Sequence, residues 1–246
     1  MTDKPLGIDV SRWQGEINFT KMKAQGVRWV YLRSGISWGY KDPWFDEYRL
    51  RCEDVGLPWG VYHPIYCGQG AQRQVDNMLR IINGNWGQLP AAPDMETDLN
   101  QNRTVVTSEL LQILSLIEKE HGKQPIIYSR TTWIEQYTLP GTWRNQYDWW
   151  LAQYLFSGEE HQGPPTLPKG VTRDKVVIHQ TSDRGDGSYY GVQSKAVDLN
   201  RWQLSEAELL TFIGQEVEPE PEPEPPTFEQ VVIYKLNQIM KAVGAK

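Results

Sequence analysis

The chain has 246 residues and a formal net charge of −6, long enough to bury the core of one barrel-sized domain. The acidic balance disfavours a nucleic-acid binder, which needs a basic face. Cys52 and Cys67 make no disulfide framework and read as buried or incidental thiols, and four scattered histidines lack ligand spacing, so neither a metal nor a cofactor is expected.

In chain order, residues 6–11 read as a strand with Asp9 near its end. Residues 18–25 form a short helix with Phe19 and Met22 inward, stopped by Gly26. A second strand spans 27–33. A helix over 43–55 starts at Pro43 and ends before Gly56. The third strand, 58–63, precedes a helix over 71–83 whose Val75, Met78, Leu79 and Ile82 share one face. The fourth strand runs within 90–97. The clearest helix is 108–121, with Leu110, Leu114 and Ile117 in register and Gly122 behind it. The fifth strand is 125–129, followed by a short helical piece near Trp133, and the sixth is 148–154. Gly and Pro make 156–174 a loop. The seventh strand is 175–180, then a turn-rich loop over 183–191, then an eighth strand at 196–200. Ser205 and Glu208 form a capping box for a last helix closed by Gly214.

Eight strands with helices after the first five predict an α/β fold in which a parallel sheet closes into a TIM-like barrel. Catalytic groups in such barrels sit at the C-terminal strand ends. Asp9 ends the first strand, Asp94 and Glu96 end the fourth, and Asp198 lies near the end of the eighth. Residues two apart on a strand share a face, so Asp94 and Glu96 form a pair of the kind glycosidases use. Four acids on one rim point to carboxylate chemistry. The abundant Trp and Tyr fit either a core or a sugar-stacking groove.

After Gly214 the composition breaks. A Glu/Pro run is expected to be an extended, semi-rigid spacer. Beyond it, Phe228, Val232, Leu236, Ile239 and Val243 mark one stripe of a short amphipathic helix. The expected organisation is a barrel over 1–214, a linker over 215–226 and a helix over 227–246 that buries its stripe against another copy, the barrel or a partner. No membrane-length apolar run and no signal peptide stand out, so stable membrane insertion is not expected.

With these residues laid out, the chain resembles glycoside hydrolase family 25, the Chalaropsis-type lysozymes, over residues 6–203. The blocks are Asp9-Val-Ser-Arg-Trp-Gln-Gly15, Gly60-Val-Tyr-His63, Pro93-Asp-Met-Glu96, Tyr128-Ser129, Trp150-Leu-Ala-Gln-Tyr154 and Asp198-Leu-Asn200. Six blocks in order are far more specific than any one. The resemblance implies a flattened (β/α)5(β)3 barrel. It implies cleavage of the β-1,4 bond between N-acetylmuramic acid and N-acetylglucosamine in peptidoglycan. It implies Asp9, Asp94, Glu96 and Asp198 as the active-site acids. On that reading Glu96 is the proton donor, its pKa raised by crowding, and Asp94 stays ionised. Tyr62, Tyr128, Arg33, Trp150, Tyr154 and Gln180 are the candidate substrate-binding residues, although Tyr62 and Tyr128 read equally well as core. Pro64 and His179 depart from the family pattern near the rim and bear on its subsites. The expected setting is a phage or prophage endolysin, made in the host cytoplasm and released through a holin-type pore. The competing reading is a wall-binding or structural module that kept the barrel and lost turnover.

Overall fold

The computed structural model describes residues 4–155, 157–215 and Tyr234. β1 (Leu6–Val10) leads into α1 (Phe19–Ala24), whose first turn is capped by the Asn18 side chain accepting from the Lys21 N–H. β2 (Val27–Arg33) is followed by a small hairpin of β3 (Gly35–Ile36) and β4 (Tyr40–Lys41), then by α2 (Phe45–Val55). Gly56 ends α2 in the left-handed conformation, at φ 61°. β5 (Trp59–Tyr66) precedes α3 (Ala71–Ile82), and β6 (Ala92–Thr97) precedes α4 (Arg103–His121). β7 (Ile126–Ser129) runs into α5 (Thr131–Tyr137), and β8 (Asp148–Ala152) into a long loop. β9 (Val176–Asp186), the single turn α6 (Gly187–Tyr190), β10 (Ala196–Trp202) and α7 (Glu206–Phe212) complete the described chain. The Ser205–Glu208 capping box starts α7 as the sequence predicts.

Eight strands close into a barrel in the order β1-β10-β9-β8-β7-β6-β5-β2. The expected all-parallel sheet needs one correction. β10 runs antiparallel to both β9 and β1. β9 also continues to Asp186 where a loop over 183–191 is expected. Only residues 187–195 then separate β9 from β10, too few for a parallel crossover.

Strand alternation builds two cores. Outward residues such as Ile8, Val30, Leu32, Val61, Met95, Ile127 and Leu151 pack with Val75, Met78, Leu110 and Leu114 of the helices. Inward residues Trp29, Tyr31, Tyr128, Trp150 and Trp202 form an aromatic floor inside the barrel. Tyr31 and Tyr128 each lie 4.7 Å from Trp150 between ring centroids. Trp29 fills the barrel because β1 has no side chain at Gly7. A Cβ there would fall 2.0 Å from the Trp29 ring. On β2 the inward series climbs from Trp29 through Tyr31 to Arg33, from apolar floor to charged rim.

The expected spacer and C-terminal helix lie outside the described residues, Tyr234 excepted. The chain divides into compact units Met1–Glu216 and Val217–Lys246. No helix among the described residues is long and apolar enough to cross a membrane.

Candidate active site

The four acids converge on one end of the barrel. Asp94 and Glu96 alternate with buried Met95 on β6, so both turn inward while Met95 turns to the helices. Asp9 and Asp198 are register partners across β1 and β10. Asp198 reaches the rim by a route opposite to the expected one. It lies near the start of a reversed strand, not the end of a parallel one.

Asp9 is buried and held from three sides. Its Oδ2 accepts from Gln180 Nε2 at 2.6 Å and from Asn200 Nδ2 at 2.8 Å. Both amides are oriented from behind. The Trp150 indole, which can only donate, gives its N–H to Asn200 Oδ1 at 2.7 Å. Gln180 Oε1 accepts from the Tyr128 hydroxyl at 2.7 Å and from the Tyr154 hydroxyl. Each amide is thereby left pointing its NH2 at Asp9. Burial pushes the Asp9 carboxyl up, while the amides and a hydrogen bond with Asp198 pull it back. Asp198 is pushed up to about 9, by burial first and the Asp9 charge second. The shared proton therefore sits on Asp198, which donates to Asp9.

Asp94 and Glu96 share one face of β6 and bear on each other's charge. Burial, then Glu96 and Asp9, push the Asp94 carboxyl well above its ordinary range, against Arg33 and Arg130. These surroundings work against the ionised Asp94 that the sequence reading expects. Glu96 is also raised, chiefly by burial rather than by crowding, and Arg130 opposes the shift. Arg130 Nε sits 3.1 Å from Glu96 Oε1, with the Arg130 side chain 52% exposed and that of Glu96 33%. The Arg130 guanidinium also lies over the Tyr154 ring at 5.3 Å.

The candidate binding residues separate by depth. Tyr62 is half-buried among Asp9, Asp94, Asp198 and Arg33, and burial keeps its hydroxyl protonated. Arg33 pairs with buried Asp42 at 2.7 Å. Asp42 also accepts from the Arg12 and Trp44 backbone N–H groups at 3.0 Å, tying the segment after β1 to the rim. Trp150 is 1% exposed and forms the floor beneath Tyr62 and Tyr128. Tyr128 and Gln180 are likewise buried, whereas Tyr154 is half-buried at the edge. Pro64 is the register partner of Asp94 on β5. His179 points away from the rim, a correction to the expectation for it. Its neighbour Gln180 faces inward, and the His179 ring packs against His161 at 5.1 Å, beneath the loop after β8.

Three site residues escape the sequence reading: Asn200, Asp42 and Arg130. Asn200 is signalled by its place two residues after Asp198. Arg130 has no periodic signal, being a lone cation between β7 and α5. Among the described residues, no group of three or more His, Cys, Asp or Glu is arranged to hold a metal ion. Buried carboxyls pushed towards the protonated form, beside one anchored by amides, make an arrangement suited to general acid chemistry.

A family model described as Glycosyl hydrolases family 25 matches residues 8–188. The chain is 31% identical over 212 residues to the uncharacterized protein YegX of Escherichia coli strain K12, covering 84% of this chain and 72% of that one. It is 24% identical over 217 residues to Lysozyme M1 of Streptomyces globisporus, covering 83% and 69% respectively. Among solved structures, the bacterial lysozyme from Streptomyces coelicolor matches with a TM-score of 0.71 at 24% identity, over 87% of this chain and 98% of that one.

Proposed function

The chain belongs to glycosyl hydrolases family 25, a family of glycoside hydrolases, and from that premise we propose that it is a muramidase. It cleaves the β-1,4 bond between N-acetylmuramic acid and N-acetylglucosamine in peptidoglycan. The observation that carries this reading is the closed rim of Asp9, Asp94, Glu96 and Asp198, in a chain related to Lysozyme M1.

A glycosidic oxygen leaves poorly unless protonated, so one carboxyl must hold a proton near neutral pH. Glu96 is that acid, because it is the member of the β6 pair that stands at the mouth beside Arg130. Asp94 and Glu96 titrate as a pair, and with substrate bound the proton rests on Glu96. Asp94, then anionic, faces the anomeric carbon. It orients the 2-acetamido group for attack on that carbon, or stabilises the positive charge developing there. Asp9 and Asp198 fix the sugar and restrain the charge of the pair. Tyr62 offers a neutral hydroxyl to the sugar, and Tyr154 lines the edge of the groove.

Muropeptide release from purified walls, followed by mass spectrometry, tests the assignment. The wild type should create reducing ends on muramic acid. Glu96→Gln should lower turnover by at least about a hundredfold with a thermal midpoint no lower than that of the wild type. Near-wild-type turnover in that variant would remove Glu96 from the role. Absence of release from several wall types would favour the wall-binding module. The finer setting, a phage or prophage endolysin producing cytolysis from within, rests on the wall-degrading reading. Expression inside a host with and without a holin-type pore tests it. Lysis only with the pore supports it, and lysis without one contradicts it.

A further inference from the structure

Arg130 has two neighbours that pull on it differently. On one side is Glu96, 3.1 Å away. On the other is a cavity of about 510 Å³ that Arg130 and Tyr154 share with Thr131, Thr132, Gln153 and Arg184. None of the four acids lines this cavity. Arg184 is 60% exposed and only loosely paired with Asp183, at 3.6 Å. Asp183 also lines the hollow, and the two guanidinium groups that face it outnumber that single carboxylate, an arrangement that can bind a carboxylate.

The sugars of a glycan strand offer no carboxylate once muramic acid is substituted, but its stem peptide does. We propose that this cavity receives a carboxylate of the muramic acid stem peptide, and that its docking draws Arg130 away from Glu96. The idea rests on the peptidoglycan reading and extends it to substrate selection. The Arg130–Glu96 pair is half-exposed, and such pairs are weak enough for a charged ligand to displace.

The consequence is a proton donor readied by its own substrate. Glu96 is faced by Asp94 on its own strand, Asp9 on β1 and Asp198 on β10, and by Tyr128 on β7 and Tyr154 after β8. Arg130, at the start of α5, is the cation opposing them. With Arg130 paired, Glu96 gives up its proton at lower pH. With Arg130 turned to the peptide, burial and the surrounding acids keep the proton in place. Arg130 is thus a positioning residue, and Arg184 its partner in recognition.

The experiment compares intact peptidoglycan with glycan strands stripped of peptides by an amidase and then amidated at the lactyl carboxylate this frees, across pH. It uses the wild type, Arg130→Gln, Arg130→Lys and Arg184→Gln. The wild type should favour peptide-bearing strands by about fivefold or more in kcat/KM, the worth of one exposed charge contact. On those strands its alkaline limb in kcat should lie above that in kcat/KM, because the first reports the complex and the second the free enzyme. Arg130→Gln should lose the preference and bring both limbs together at the higher value. Arg130→Lys should recover part of the preference, and Arg184→Gln should lose preference while keeping the separation of the limbs in part. Equal cleavage of both substrates by the wild type, or an intact preference in Arg130→Gln, would overturn the proposal while leaving the muramidase reading standing. Cleavage of neither substrate would overturn both.

Discussion

Asp198 shows how a working site costs stability. Its folded pKa is about 9, whereas an unfolded Asp titrates near 3.9. Between those values the folded state holds a proton that the unfolded chain has released. The fold therefore loses stability as pH rises from about 4 towards about 9. Asn has no such titration and can still donate to Asp9. Asp198→Asn should therefore raise the thermal midpoint at pH 8, by about 2–4 °C for each kcal/mol of proton-holding cost removed, with the gain shrinking towards pH 4. A gain independent of pH would contradict the proton assignment. At this scale the sequence reading was uneven for a physical reason. Asp94 and Glu96 were legible because strand periodicity is local. Asp198 does lie opposite Asp9 at the rim, but the rule about strand ends that places it there is one its reversed strand does not obey. Arg130 and Asp42 act through contacts across the chain, and no local pattern announces such contacts.

Between residues and the whole, the β3–β4 hairpin after β2 is held by two helix and strand side chains. The Ser37 carbonyl accepts from Asn77 Nδ2 of α3 at 2.9 Å and contacts His63 Nε2 of β5 at 2.8 Å. The His63 ring is buried, and desolvation holds its pKa down to about 4, so the ring stays neutral and donates from Nε2. Ser37 has φ 49°, a strained value for a residue with a side chain. The clamp fixes this turn and with it Trp38, half-exposed with Arg73 over its ring at 4.4 Å. Asn77→Ala should speed amide exchange over residues 36–41 by roughly tenfold or more, since a lost buried hydrogen bond is worth about 1–3 kcal/mol. Unchanged exchange there would show that His63 suffices. The hairpin was not foreseen, because two-residue strands carry no readable period. The start of α4 was missed for a related reason. Asn102 caps it, accepting from the Val105 N–H at 3.0 Å, but the run Thr104-Val-Val-Thr107 that follows reads as β-prone. Tertiary packing of Val106 and Leu110 under the barrel decides the matter. By contrast, β2 spans residues 27–33 as read from the sequence, with long hydrophobic side chains facing both cores.

Across the whole molecule, the acids need a barrel sealed at the opposite end, and α7 supplies the seal. Leu209 and Ile213 are fully buried in the cluster of Trp29 and Trp202, the inward residues farthest from the acids on β2 and β10. Phe212 adds a ring contact to Trp202 at 4.8 Å, and the Trp202 indole donates to the Ser205 carbonyl at 2.9 Å. The helix finishes cleanly, with Gly214 at φ 70° and the Gln215 N–H bonded to the Leu210 carbonyl at 2.8 Å. Unit 1 ends at Glu216, just beyond that point. We therefore propose that the boundary of the independently folding enzyme lies after α7 rather than after β10. A chain ending at Gln215 should keep turnover and a thermal midpoint within about 2 °C of the full chain, because every contact of α7 among the described residues is kept. A chain ending at Gln203 should fail to fold, because it bares Trp29 and Trp202. Leu209→Ala in the full chain should cost about 2–5 kcal/mol, a fall of roughly 5–15 °C at this size. Light scattering on the Gln215 chain beside the full chain reads the remaining segment directly. A mass that falls by more than the removed residues account for would assign residues 216–246 to self-association, and masses in proportion to chain length would leave that segment another task. A stable, active chain ending at Gln203 would show that the floor of the barrel closes without α7.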